Sequence, residues 1–372
     1  MKNIFMLFII KTKQGGSSMK KKVLAMLLVA VMSLGLVACS GGSKEAEKPA
    51  EEASEEAAPA AEEAEEAGEE AAPAAAEEVK IGVLLKPESN EYWSSMKTGI
   101  EEWAAGQDGV TVEVLCAESE DNIAGQLEQL ENMISKDYNA ICVAPLSASN
   151  LVEGVVKASQ AGIPIVNVDE AVDADAVKEG GGNMVGLYTT DNIVVGEKGA
   201  TFVTEQLGGS GQVAIVEGTA GNVTSNSRTK GATDYFEANG MEVVASQAGD
   251  WDRLKSMDVA TNIMQANPDL KAFYCANDTM ALGVYEAVVN ANKKDDIIVV
   301  GTDAVANAKE SVKNGELAAT VGQDNIGIGI ACVELAVKAA QEGWKADPSA
   351  EMPTEYIDSF LVTKDNAEQY IN

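Results

Sequence analysis

"VKIGVLLKPESNEYW", Val79 to Trp93, sets an almost unbroken apolar run against a polar turn and the start of a helical pattern. A run that is apolar at successive positions, without polar alternation, reads as a strand buried on both faces, the condition of a parallel strand. The run leads into a helix and not a hairpin, so the unit is strand, turn, helix. Lys86, Asn90, Tyr92 and Trp93 then fall at the carboxyl lip of the strand. Open parallel sheets collect ligands at that edge.

The same unit recurs. "VTVEVLCA" from 110, "AICVAP" from 140 and "IPIVNVD" from 163 are further buried strands. Between them Ile123, Leu127, Leu130 and Ile134 form the stripe of an amphipathic helix. After "VGLYTTDN" from 185 the pattern restarts with "QVAIVEG", "MEVVASQ", "KAFYCAND" and "DIIVVGTDA", each leading into a helical segment. The sequence predicts an α/β protein of two doubly wound parallel-sheet lobes. Late elements, "LAATVGQDN", "IGIACVELAVKAAQEG" and a single final strand "YIDSFLVT", must be shared between the lobes, so several crossings are expected.

The 372 residues are 46% hydrophobic, enough for a substantial core but long for one domain. A formal charge of −32 leaves no basic footprint for nucleic acid. Histidine is absent, which removes the commonest general base and a common metal ligand and weighs against an enzyme. No cofactor or metal is called for. Cys116, Cys142, Cys275 and Cys332 lie inside apolar segments without CxxC spacing and read as buried thiols.

Cys39 is different. Lys20, Lys21 and Lys22 precede the apolar run Val23 to Val37, and small residues lead to "LVACSGG". This is a secretory signal, residues 1–38, and "LVAC" resembles the lipobox of bacterial lipoproteins, which implies acylation of Cys39 and a membrane anchor. Met19 is the expected true start, since Gly15 and Gly16 can be encoded by a ribosome-binding sequence. Residues 39–78 hold fourteen glutamates against Lys44 and Lys48 and few large apolar groups, the composition of a disordered acidic tether.

The remaining strand ends carry planar polar groups or aromatics: Asp169, Arg228, Trp251, Asn277, Asp303 and Gln323. Carboxylates, amides and guanidinium each engage adjacent hydroxyls, while tyrosine and tryptophan faces pack on the C–H patches of a sugar ring. A phosphate or dinucleotide site would need glycines in "KPESNEYW", which has none. The clusters "GGGN" at 180 and "GGSG" at 208 read as turns.

"LKPESNEYW", "APLSASNLV", "VNVDE", "TTDNIVVGEKGA", "DWDRLKSMDVATNIMQANPDLKAFYCANDTMALGV" and "VVGTDA" resemble, in order and spacing, the ribose-binding group of type 1 periplasmic sugar-binding proteins. The resemblance covers Val79 to Thr363. It implies a monomer that captures a monosaccharide, D-allose or a similar hexose with ribose or psicose as alternatives, and delivers it to the permease and ATPase of an ABC importer or to a chemoreceptor. It further implies hinges near Thr190, Gln323 and Asp358. The lobes would then be 79–189 with 323–357, and 190–322 with 358–372. Carried over, the polar sugar contacts fall on Lys86, Asn90, Asp169, Arg228, Asn277, Asp303 and Gln323, and the stacking rings on Tyr92, Trp93 and Trp251. Lys86, where ribose binders commonly have a small residue, points to a hexose. Glu91 stands where the family usually has proline, and Tyr92 where it has phenylalanine.

Plainer roles are expected for several neighbours. Asp278 reads as the N-cap of the helix "TMALGVYEAVV". Trp103 falls on the stripe with Met96 and Ile100 and reads as core, and Glu91 as a solvent-facing rim residue. A repressor core of this fold would need a helix-turn-helix where the acidic tether stands. A glycosidase would need two carboxylates across the sugar; Asp169 and Asp303 are expected to be hydrogen-bonded acceptors held below their free pKa and so poor acids.

Overall fold

The computed structural model describes residues 78–371. The signal, the Cys39 lipobox and the tether up to residue 77 lie outside the described residues.

Strands β1 (Val79–Leu85), β2 (Val110–Cys116), β3 (Ala140–Val143), β4 (Ile165–Val168) and β5 (Gly186–Thr189) alternate with helices α1 (Glu91–Ala105), α2 (Ile123–Ile134), α3 (Val152–Gln160) and α4 (Ala174–Glu179). The restart brings α5 (Asn192–Gln206), β6 (Gly211–Glu217), α6 (Val223–Ala238), β7 (Met241–Ala248), α7 (Arg253–Ala266), β8 (Leu270–Cys275), α8 (Asp278–Asn290), β9 (Ile298–Asp303), α9 (Ala306–Asn314) and β10 (Ala319–Gly322). The chain ends with α10 (Asn325–Gln341), β11 (Thr354–Tyr356) and β12 (Phe360–Thr363).

Two six-stranded sheets result, in the orders β11-β5-β4-β3-β1-β2 and β12-β10-β9-β8-β6-β7. The first is parallel throughout. In the second, β12 alone runs antiparallel, against β10. The single final strand expected from "YIDSFLVT" is thus two strands in two sheets. Ile357 to Ser359 breaks the run and carries the chain across, a division the apolar pattern does not reveal.

The chain passes between sheets three times, after β5, after β10 and after β11. Helix α10 therefore packs on α1 and the first sheet although it comes after a strand of the second. Beside the last crossing, Lys198 Nζ donates to the Ser359 carbonyl at 2.5 Å and to its hydroxyl at 2.8 Å. Beside the second, Asn325 Nδ2 donates to the Tyr92 carbonyl at 2.6 Å and the Ser95 hydroxyl at 2.7 Å.

Asparagine or aspartate at the N-cap begins most of the helices. Asn90, Asn122, Asp173, Asp191, Asn222, Asp252, Asn277 and Asp324 each accept a backbone N–H from the first turn. Each such bond satisfies one otherwise orphaned donor and is worth roughly 1 kcal/mol. The cap of α8 is Asn277 and not Asp278. Asp278 sits one residue later, fully buried, accepting from the Thr320 hydroxyl at 2.7 Å and the Val305 amide at 3.0 Å.

Cys142, Cys275 and Cys332 are buried, but Cys116 is only half-buried, because β2 is the edge strand of its sheet. Trp103, expected in the core, is likewise half-buried against it. The "GGGN" and "GGSG" glycines do form turns, with positive φ at Gly181, Gly208 and Gly209.

Helices α5 and α6 meet through glycine. A side-chain methyl at Gly196 would overlap the Arg228 carbonyl, and one at Gly231 the Ile193 carbonyl. This approach holds Arg228 against Asn192, so fold and site share one contact. Gly231→Ala should destabilise the protein by about 1 to 3 kcal/mol through overpacking, read from urea denaturation. A change below about 0.5 kcal/mol, the range of ordinary surface substitutions, would refute the tight contact.

Candidate functional site

The carboxyl ends of the two sheets face one cavity. Lys86, Asn90, Tyr92, Trp93 and Asp169 line it from the first lobe, and Arg228, Trp251 and Asp303 from the second. Eight of the ten expected residues are thereby brought together. Asn277 and Gln323 stand just behind this lining: Gln323 Nε2 donates to Asp303 Oδ1 at 2.7 Å, and Asn277 is the residue after Ala276, whose carbonyl accepts from Arg228.

Backbone strain marks the same places. Asp169 has φ 55°, Trp251 φ 61° and Asp303 φ 118°, in the region that residues with a Cβ rarely adopt. Such conformations cost of order 1–3 kcal/mol each and persist where the surroundings impose them. For Asp303 the surroundings are visible. Asp278 accepts the Val305 amide, and the Thr320 hydroxyl both donates to Asp278 and accepts the Ala304 amide at 3.1 Å. A side chain at Gly301 would collide with the Asp278 carboxylate.

Arg228 is 3% exposed, and two of its three guanidinium nitrogens have protein partners. Nη1 donates to the Ala276 carbonyl at 2.7 Å and to Asp303 Oδ1 at 3.2 Å, and Nε donates to Asn192 Oδ1 at 2.8 Å. On the other side Tyr92 donates its hydroxyl to Asp169 Oδ1 at 3.1 Å and meets Trp93 edge to face, the centroids 5.0 Å apart. Asn90 spends its carbonyl oxygen capping α1 at the Tyr92 amide.

Lys86 departs most from its expected setting. Its ammonium lies 3.0 Å from Glu120 and 4.0 Å from Glu170, and 5.7 and 5.8 Å from the ring centres of Trp93 and Trp251. Burial opposes the charge, but Glu120 and Glu170 outweigh it and raise the pKa. Glu120, Glu170 and Thr224 also line the cavity, and the strand-end pattern in the sequence singles out none of the three. A signal for two of them was present: Glu120 comes after β2 as Asp169 comes after β4, and Glu170 is the next residue in "VNVDE".

Four buried polar atoms around the cavity have no protein partner: Glu120 Oε1, Trp251 Nε1, Asn277 Nδ2 and Gln323 Oε1. Buried groups of this kind are normally bonded, and the presence here of four of the eight such atoms among the described residues fits a ligand offering both donors and acceptors. Three contacts join the lobes above it. Lys86 stacks on Trp251, the Thr224 amide donates to Glu170 Oε1 at 3.4 Å, and Asn307 Nδ2 donates to Glu91 Oε2 at 2.8 Å. Glu91 thus stays at the rim, as expected, partly exposed and in addition bonded across the cleft.

The expectation that Asp169 and Asp303 are held below their free pKa is overturned. Burial pushes Asp169 up to about 7 and Asp303 to about 6, only partly offset by Arg228 in each case. Few donors reach them, since the protein hydrogen bonds to each fall on Oδ1 alone. Among the described residues no group of side chains could hold a metal ion, and no helix is long and apolar enough to cross a membrane.

The raised values have a consequence for stability. The folded protein keeps protons on Asp169 and Asp303 that the unfolded chain loses near pH 4. Their contribution is therefore fully present below about pH 4 and lost as pH rises to about 7. Between pH 5 and 8 the sugar-free protein should lose thermal midpoint, and Asp169→Asn should flatten part of that decline. An identical slope in the variant would show that Asp169 titrates normally.

A family model described as a periplasmic binding protein domain matches residues 81–344. The chain is 46% identical over 285 residues to the D-allose-binding periplasmic protein of Escherichia coli K12, covering 76% of this chain and 91% of that one. To the ribose import binding protein of Bacillus subtilis 168 it is 31% identical over 265 residues, covering 71% and 81%. Among solved structures, an ABC transporter periplasmic solute binding protein from Actinobacillus succinogenes with bound D-allose matches with a TM-score of 0.73 and 34% identity, over 78% of this chain and all of that one.

Proposed function

We propose that this chain, which belongs to the periplasmic binding protein domain family, is the substrate-binding component of an ABC importer for a neutral monosaccharide, D-allose or a similar hexose. The observation that carries the reading is the set of unpartnered buried donors and acceptors around a cavity walled by Tyr92, Trp93 and Trp251. A hexose offers hydroxyls that both donate and accept, and C–H faces for the rings. Its named relatives are binding proteins, and the roles assigned to the cavity residues are binding roles without catalysis.

Asp169 and Asp303 accept paired hydroxyl protons, Arg228 and Asn277 donate, and Gln323 and Asn90 complete the ring of polar contacts. Lys86 contacts a hydroxymethyl or ring substituent, which favours a hexose over the ribose or psicose alternatives. Trp93 and Trp251 hold the sugar from opposite lobes. The segments near Thr190, Gln323 and Asp358 are the hinges, so that 79–189 with 323–357 moves against 190–322 with 358–372. A sugar that bridges both lobes favours the closed form, because most of its contacts exist only there.

Cys39 carries the lipid, and the acidic segment to residue 78 lets a monomeric receptor range over the outer face of the cell membrane. Fully extended, those forty residues would span roughly 100 Å or more. The permease and ATPase of the importer, or a chemoreceptor, read the closed form. Met19 as the start fits the complete signal that begins there.

Calorimetry with D-allose, D-ribose, D-psicose, D-glucose and D-galactose tests the reading. D-allose should bind most tightly, and small-angle scattering should show compaction at saturation. Asp169→Ala should weaken binding by about 1.5 to 3 kcal/mol for each charge-assisted bond lost, roughly tenfold to more than a hundredfold. Binding within threefold of wild type would remove Asp169 from the site, and no heat or compaction with any of the five would sink the sugar assignment.

A further inference from the structure

The cavity is lined by two cations and four carboxylates, and both positive charges are already matched. Lys86 is held by Glu120 and Glu170, and Arg228 by Asp303, the Ala276 carbonyl and Asn192. Glu120 has a position that none of the others shares. It stands on the connection between β2 and α2, and among the described residues it alone lines the inner cavity and both of the wider clefts that open beside it. Its Oε2 faces Lys86, while its Oε1 is buried without a protein partner. The adjoining cleft is itself acidic, with Asp121, Asp250 and Asp252 against Lys255.

We infer that Glu120 is a specificity-determining residue that restricts the site to uncharged monosaccharides and excludes those carrying a carboxylate at the Lys86 end. The inference rests on the sugar reading and extends it to the class of sugar. A lysine alone at that place would invite an acid sugar, such as a uronate. With Glu120 at 3.0 Å and Glu170 at 4.0 Å from its ammonium, an added carboxylate would meet two like charges at close range, that of Glu170 buried and that of Glu120 largely so. It would have to displace Glu120 or bind protonated. A hydroxyl meets no such obstacle, because it can donate to the unpartnered Oε1. Glu170 is placed differently: it lies farther from the ammonium, and its Oε1 accepts the Thr224 amide of the other lobe at 3.4 Å.

Glu120→Gln keeps the side chain's size and its acceptor while removing the charge. Calorimetry at neutral pH would compare D-allose with D-alluronate, the same ring bearing a carboxylate at C6, and with 6-amino-6-deoxy-D-allose. The wild type should bind the uronate more than a hundredfold more weakly than D-allose, and the amino sugar more tightly than the uronate. In the variant, shown folded by its thermal midpoint, the gap between D-allose and the uronate should narrow at least tenfold, chiefly through tighter uronate binding. Wild-type binding of the uronate within tenfold of D-allose, or an unchanged gap in the folded variant, would overturn the role of Glu120. Failure of the wild type to bind D-allose or any other neutral sugar of the panel would instead overturn the sugar reading on which it rests.

Discussion

Ionic side chains withdrawn from water at the seam between two lobes set the terms for the rest of this structure. Lys86, Asp169, Glu170, Arg228 and Asp303 are each at most 6% exposed. A buried charge is tolerated only when it is paired and hydrogen-bonded, and removing one partner of such a set costs more than the pair contributes. The network closes only when the lobes meet, since Glu170 reaches Thr224 and Lys86 reaches Trp251 across the seam.

Backbone devices deliver those side chains. Gly196 and Gly231 let α5 and α6 approach until Arg228 reaches Asn192, and Gly218 lies flat beneath the Trp251 ring, where a side chain would collide with it. Asp278 and Thr320 hold the strained turn at Asp303 from behind. None of these groups lines the cavity, yet each fixes one that does. The carboxylates remain under-supplied with donors as a result, and the same burial that orients Asp169 raises its pKa to about 7. A site in which protein donors satisfied every lone pair would have nothing left with which to recognise a hydroxyl.

Much of this was legible in the sequence. Buried parallel strands show as runs with apolar residues on both faces, and "VKIGVLL", "AICV" and "IVNV" are strands in the structure. The rule that ligands gather at strand ends found eight residues that line the cavity, because it depends on topology and not on contacts. What it could not give is the partnering of neighbours. Asn277 and Asp278 are both good capping residues, and only the packing of Asp278 against Thr320 and Val305 decides that the asparagine caps. Likewise the break in "YIDSFLVT" depends on which sheet edge each half finds.

Lys86 shows where residue identity and residue function separate. In the sequence it is an unaccompanied cation at a strand end, and its charge is its most conspicuous property. In the structure that charge is cancelled by Glu120 and Glu170 and enclosed by two indole rings, so what remains to a ligand is a directed donor in a site with surplus negative charge. A cation so enclosed discriminates by geometry and hydrogen bonding instead of by net attraction, because its field is already compensated at close range. The polarity of the cleft therefore depends on Glu120, a loop residue that only its place after β2 brings to notice.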